Sequence, residues 1–123
     1  MGYLTAEVEE RYSAIHTAFR AAGAEWVLLT PHYTLPAWMP EGFDSENGKA
    51  VEEDPRECVW AIRAFAMDRH AQGVAMADAS KLWGRLWRRG VPYTTLLMNS
   101  INHPNRTGLR TFADALLPLF PVE

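Results

Sequence analysis

The sequence predicts an α/β fold in which two parallel strands are flanked by about four helices. Two observations carry this reading. The order helix, glycine, short apolar strand occurs twice, once over residues 6–30 and again over 55–78. Neither apolar run alternates with polar residues, so each suits a strand buried on both faces, as in a parallel sheet.

The first helix is predicted over 6–22. Val8, Tyr12, Ile15, Phe19 and Ala22 recur at helical spacing, Thr5 precedes them as an N-cap, and Gly23 stops the run. His16 would then fall on the solvent side of this helix. Trp26-Val27-Leu28-Leu29-Thr30 follows as the first strand and ends at Pro31. Residues 32–53 hold Pro36, Pro40, Gly42 and Gly48 and read as one long loop.

The second helix is predicted over 55–72. Asp54 is its N-cap, Pro55 its first residue, and Glu57 completes a capping box. His70 would be a surface residue on it. Gly73 ends it, and Val74-Ala75-Met76-Ala77-Asp78 is the second strand. The third helix is predicted over 79–89, with Leu82, Trp83, Leu86 and Trp87 on one side and Gly90 as its stop. Residues 93–98 are apolar and ambiguous. The last helix is predicted over 109–117, with Leu109, Phe112, Ala113 and Leu116 facing inward.

The 123 residues suit a single domain. A net charge of -3 argues against a phosphate-binding surface, because nucleic-acid binders carry a basic excess. Trp83, Arg85, Trp87, Arg88 and Arg89 mix aromatic and basic residues as single-strand binders do, but the tryptophans lie on the apolar stripe and read as core. Cys58 is the sole cysteine, so no internal disulfide forms. The four histidines lack metal-ligand spacing, and no metal or cofactor is expected. No apolar run approaches a membrane span, and the start has no signal-peptide core, which gives a cytoplasmic default. That default holds only if Met1 is the true start.

Ligands of open parallel sheets bind beyond the carboxyl ends of the strands. Those ends are Thr30-Pro31-His32 and Asp78. His103 lies in a polar turn ahead of the last helix, and Pro104 disfavours helical geometry at it. A histidine on a fixed turn can act as a general base near neutral pH, or it can cap the helix that follows. Asp78 can orient such a base or cap the third helix. His32 can contact substrate or sit as a loop residue. Tyr33 and Trp38, with Phe43, can line a substrate pocket or anchor the long loop.

The run 99–112, NSINHPNRTGLRTF, is similar to the last sequence block of SGNH (GDSL-type) hydrolases, which centres on His-Pro-Asn followed by a glycine and an apolar helix. AAGAEWVLLTP and DPRECVWAIRAFAMDRHAQGVAMADAS resemble the segments that precede that block. The likeness covers most of residues 6–118. It implies the carboxy-terminal half of a flavodoxin-like, three-layer domain and hydrolysis of esters by a serine nucleophile. His103 would match the catalytic base. The family's aspartate three residues before the histidine is Ser100 here, with Asn99 one further back, so either Asn99 or Ser100 serves as a weaker orienter or another carboxylate, Asp78, substitutes for it. No Gly-Asp-Ser segment follows an apolar strand, since Phe43-Asp44-Ser45 lies in the polar loop.

The resemblance therefore implies a serine esterase or acetylesterase acting on a small-molecule or carbohydrate ester, with this chain inactive alone. An unpaired edge on the 26–30 strand would favour an amino-terminal half or a second copy as partner. The alternative is a non-catalytic α/β module that binds or assembles.

Overall fold

A computed structural model describes residues 2–34, 39, 54, 56–99 and 101–121, with only the backbone for 2–5. Most of the long loop lies outside these residues, as do Trp38, Phe43 and Ser100. The elements run α1 (Gly2–Ala21), β1 (Trp26–Leu29), α2 (Glu57–Asp68), β2 (Val74–Ala77), α3 (Ala79–Arg88) and α4 (Arg106–Leu116). Short 3-10 turns occupy His70–Gln72, Tyr93–Leu96 and Leu117–Leu119. The α/β class is the expected one.

β1 and β2 pair in parallel, with Trp26 opposite Val74 and Leu29 opposite Ala77. Gly23 and Gly73 adopt positive φ values of 71° and 88° just before the two strands. A left-handed residue there turns each helix end toward its strand without a Cβ penalty. One face of the sheet packs Leu28, Val74, Trp26 and Met76 against Phe65 and Ala66 of α2 and Val8 and Tyr12 of α1. A second cluster joins Tyr33, Trp83, Trp87, Tyr93, Leu96 and Leu97. Trp83 and Trp87 are core residues, as their spacing predicts.

Four expectations need correction. Thr5 lies inside α1, whose first turn extends back to Gly2, so it is not the N-cap. His16 is buried, with 6% of its surface exposed, while Ile15 is 40% exposed. The packed face of α1 runs Val8, Tyr12, His16, and the imidazole Nε2 lies 3.2 Å from the Gln72 carbonyl, which satisfies its polarity. α2 starts at Glu57, and Arg56 rather than Asp54 is its N-cap residue. It stops at Asp68, before the 3-10 turn. On α4 the buried residues are Gly108 and Thr111, and Leu109 is 57% exposed. The physical reason is Trp83: its indole Nε1 donates to Thr111 Oγ1 at 2.7 Å, and that hydroxyl donates to the Gly108 carbonyl at 2.6 Å. This pair rotates the small residues inward.

Residues 93–98 resolve into the 3-10 turn and then a single antiparallel bridge between Leu97 and Pro104. Among the described residues, no helix is long and apolar enough to cross a membrane.

Candidate functional site

The carboxyl ends of both strands meet a buried polar seam. Thr30 Oγ1 donates to Asp78 Oδ1 at 2.9 Å and accepts from the Ser80 amide at 3.0 Å. Ser80 Oγ donates to Asp54 Oδ2 at 2.8 Å. Arg56 Nε holds both Asp54 oxygens, at 2.9 and 3.1 Å, and its Nη2 reaches the Pro31 carbonyl at 3.3 Å. Arg63 grips Asp78 with Nε at 2.9 Å and Nη2 at 3.2 Å. Thr30, Asp54 and Ser80 are all buried. Each carboxylate thus has a guanidinium and a hydroxyl, the condition under which a buried charge is tolerated. The seam ties the end of β1 to the starts of α2 and α3.

Asp78 caps α3, accepting from the Lys81 amide at 3.1 Å. Burial opposes its ionisation, but the hydrogen bonds from Arg63 and Thr30, the Arg63 charge and the Lys81 amide together outweigh that and hold its pKa below the ordinary value. Its hydrogen bonds go to Thr30, Arg63 and Lys81, not to His103.

His32 follows this anchored strand end. Its ring is half-buried against Trp83 (centroids 5.2 Å apart) and edge-on to Phe112 (5.7 Å). Its Nε2 lies 2.6 Å from the Asn102 carbonyl. Burial lowers its pKa below 6.5, opposed by that hydrogen bond and assisted by the charges of Arg56 and His103. The contact with the Asn102 carbonyl brings the peptide that carries His103 to the same rim as His32.

His103 is exposed on the loop that the Leu97–Pro104 bridge closes. Its carbonyl accepts from the Met98 amide at 2.6 Å, and the Asn105 amide donates to the Leu96 carbonyl at 2.8 Å. Asn99 Oδ1 accepts from the amides of Ile101, Asn102 and His103 at 2.9, 3.0 and 3.2 Å. Asn99 thus organises the loop backbone rather than the imidazole. Asn105 is the cap of α4, accepting from the Gly108 amide at 2.9 Å, so capping does not account for His103.

Tyr33 is buried in the second cluster, edge-on to Trp87 and Tyr93. Burial and the Asp54 charge push its phenol up to about 12. That placement fits a loop anchor. Trp38, its predicted companion, and Ser100 lie outside the described residues.

Reasoning from sequence missed Arg56, Arg63 and Ser80, and placed Thr30 at the strand end without its partners. Asp54 and Ser80 are 26 residues apart and Thr30 and Asp78 are 48 apart, so no local spacing advertises the seam. A cleft of about 430 Å³ beside it is lined by Trp60, Arg63, Met67, Met76, Asp78 and Lys81. An apolar groove of about 460 Å³ runs along β2 and α2 to Leu119. Neither is lined by His32 or His103. Among the described residues, no three His, Cys, Asp or Glu side chains are grouped to hold a metal.

No family model, curated protein or solved structure matches this chain.

Proposed function

We propose that the chain is the histidine-bearing, carboxy-terminal half of an SGNH-type serine ester hydrolase, an esterase or acetylesterase acting on a small-molecule or carbohydrate ester. The observation that carries this reading is the His103 loop. An exposed imidazole stands ahead of α4, and the peptide that carries it is held by His32, which follows the carboxyl end of β1. That is the rim where parallel sheets place their chemistry.

In this reading the nucleophilic serine comes from outside these 123 residues. The serine oxygen attacks the ester carbonyl carbon, and His103 accepts its proton. The imidazolium then returns the proton to the leaving alcohol, and water repeats the cycle on the acyl-enzyme. Oxyanion donors come with the serine. The test is to read the DNA adjoining Met1 for an apolar strand followed by Gly-Asp-Ser, and to combine that segment with this chain. Turnover of p-nitrophenyl acetate that needs both pieces, and that His103→Ala or a serine-directed phosphonate abolishes, is expected. A combination whose turnover is indifferent to His103 refutes the reading.

A second reading, a non-catalytic α/β module that binds or assembles, is favoured by the exposed apolar residues Leu29 (42%) and Met67 (75%) beside a sheet of two strands. Sedimentation over a range of concentrations separates the two cases. Stoichiometric, saturable self-association with no hydrolase segment encoded nearby supports the module.

A further inference from the structure

We infer that His32 is a positioning residue for His103: it clamps the peptide bond on which His103 is carried. The peptide between Asn102 and His103 has two polar atoms, and a side chain holds each. The Asn102 oxygen lies 2.6 Å from His32 Nε2, and the His103 amide donates to Asn99 Oδ1 at 3.2 Å. The next peptide is held as well, because the His103 carbonyl accepts from the Met98 amide and Pro104 bridges Leu97. Proline also narrows the conformations open to the residue before it. With both flanking peptide planes fixed, His103 keeps only its side-chain torsions.

The clamp is itself anchored. His32 is wedged between Trp83 of α3 and Phe112 of α4. The preceding Pro31 carbonyl is gripped by Arg56, which is locked to Asp54. The line of contact therefore runs from the strand end, through one imidazole, to the backbone of the other. A base must sit within a few tenths of an ångström of its partner to be effective, which is the use of such a device. The assignment replaces a substrate contact for His32 by a structural hold. It deepens the esterase reading by naming what positions the backbone of its base, and it rests on that reading for its chemical meaning.

A carbonyl can only accept, so Nε2 must carry the proton and Nδ1 must be bare in the neutral ring. The first measurement is the 15N shifts of His32 in the intact chain above neutral pH. A fixed Nε2–H tautomer is expected; the Nδ1–H tautomer, or averaging between the two, overturns the clamp. The second is amide hydrogen exchange at Met98 and His103 in His32→Leu and His32→Gln. Losing one hydrogen bond should speed exchange of these two amides about tenfold in the leucine variant, with the amides of β1 unchanged. Glutamine, which keeps an N–H donor, should restore most of the protection. Equal exchange in all three proteins, no rescue by glutamine, or acceleration of loop and strand amides together would each show that His32 serves the core and not the loop. Neither measurement uses an ester, so failure here is distinct from failure of the esterase reading.

Discussion

Replacing Gly108 by alanine should destabilise the protein, although alanine is the better helix former. In an open helix the exchange is worth at most about 1 kcal/mol in favour of alanine. Here the new methyl group would overlap the backbone carbonyl of Leu96 and stand 3.1 Å from Pro104 Cβ and 3.2 Å from Trp83 Cζ2. The Leu96 carbonyl cannot withdraw freely, because it accepts the Asn105 amide that closes the His103 loop. Trp83 cannot withdraw either while its indole is bonded to Thr111. Overpacking of this kind costs about 1–3 kcal/mol, and loosening the Asn105 bond adds about 1 kcal/mol. The balance is a loss of about 1–3 kcal/mol, or roughly 4–12 °C in melting temperature for a domain of this size. Thermal unfolding followed by circular dichroism measures it. A variant that melts at or above the parent would show that α4 slides outward at no cost, and the close approach of Gly108 to Leu96 would lose its structural meaning.

Arg63→Met leaves the Asp78 carboxylate without its guanidinium in a site where both side chains are mostly covered; a loss of about 3 kcal/mol in urea unfolding is expected, partly recovered by adding Asp78→Asn, and a shift under about 0.5 kcal/mol would deny the pair its role. The pH dependence has a fixed sign. His32 and Asp78 both have folded pKa values below their ordinary ones of 6.5 and 3.8, so the unfolded chain binds more protons and stability falls on acidification. The first loss begins below about pH 6.5 and should vanish in His32→Gln; the second begins below about pH 3.9 and should vanish in the Arg63→Met/Asp78→Asn pair. Stability that rises from pH 7 to pH 5 contradicts the sign. His103→Ala should leave the melting temperature unchanged, since the ring is exposed. The isolated chain should hydrolyse p-nitrophenyl acetate no faster than that variant, and phosphonate-sensitive turnover would reveal a nucleophile within these residues.

The strands were legible because their signal is local. A glycine able to take positive φ, four unalternating apolar residues and a polar or proline stop occur together at 23–31 and again at 73–78. The inward faces of α1 and α4 were legible only in part: Val8 and Tyr12 pack inward as their spacing predicts, but hydropathy ranks Ile15 above His16 and Leu109 above Gly108. What decides those positions is a partner far along the chain: the Gln72 carbonyl for His16, and the Trp83 indole for the small face of α4. The site divides in the same way. His103 stands out in the sequence because proline and two asparagines frame it. The clamp on its peptide does not, since His32 and Asn102 are 70 residues apart. Asp54 reads as a helix cap by spacing, yet Arg56 two residues on turns its guanidinium back and draws the carboxylate into the buried seam.

The two apolar clusters share no residue, and each has its own tryptophan. Trp83 and Trp87 stand among the rings of one cluster, and Trp26 sits with Tyr12 and Phe65 in the other. The molecule therefore carries tryptophan emission from each of its two apolar clusters. Substituting Trp26 by phenylalanine, or Trp83 and Trp87 together, would weight the emission toward the other cluster, over a background from Trp38 and Trp60 common to both versions. Coincident melting curves from the two versions, once each is referred to its own midpoint, would describe a sheet of two strands that still couples both layers into one cooperative unit. Curves of different steepness would describe two layers that part company along the polar seam, with α1 and α2 leaving separately from α3 and α4.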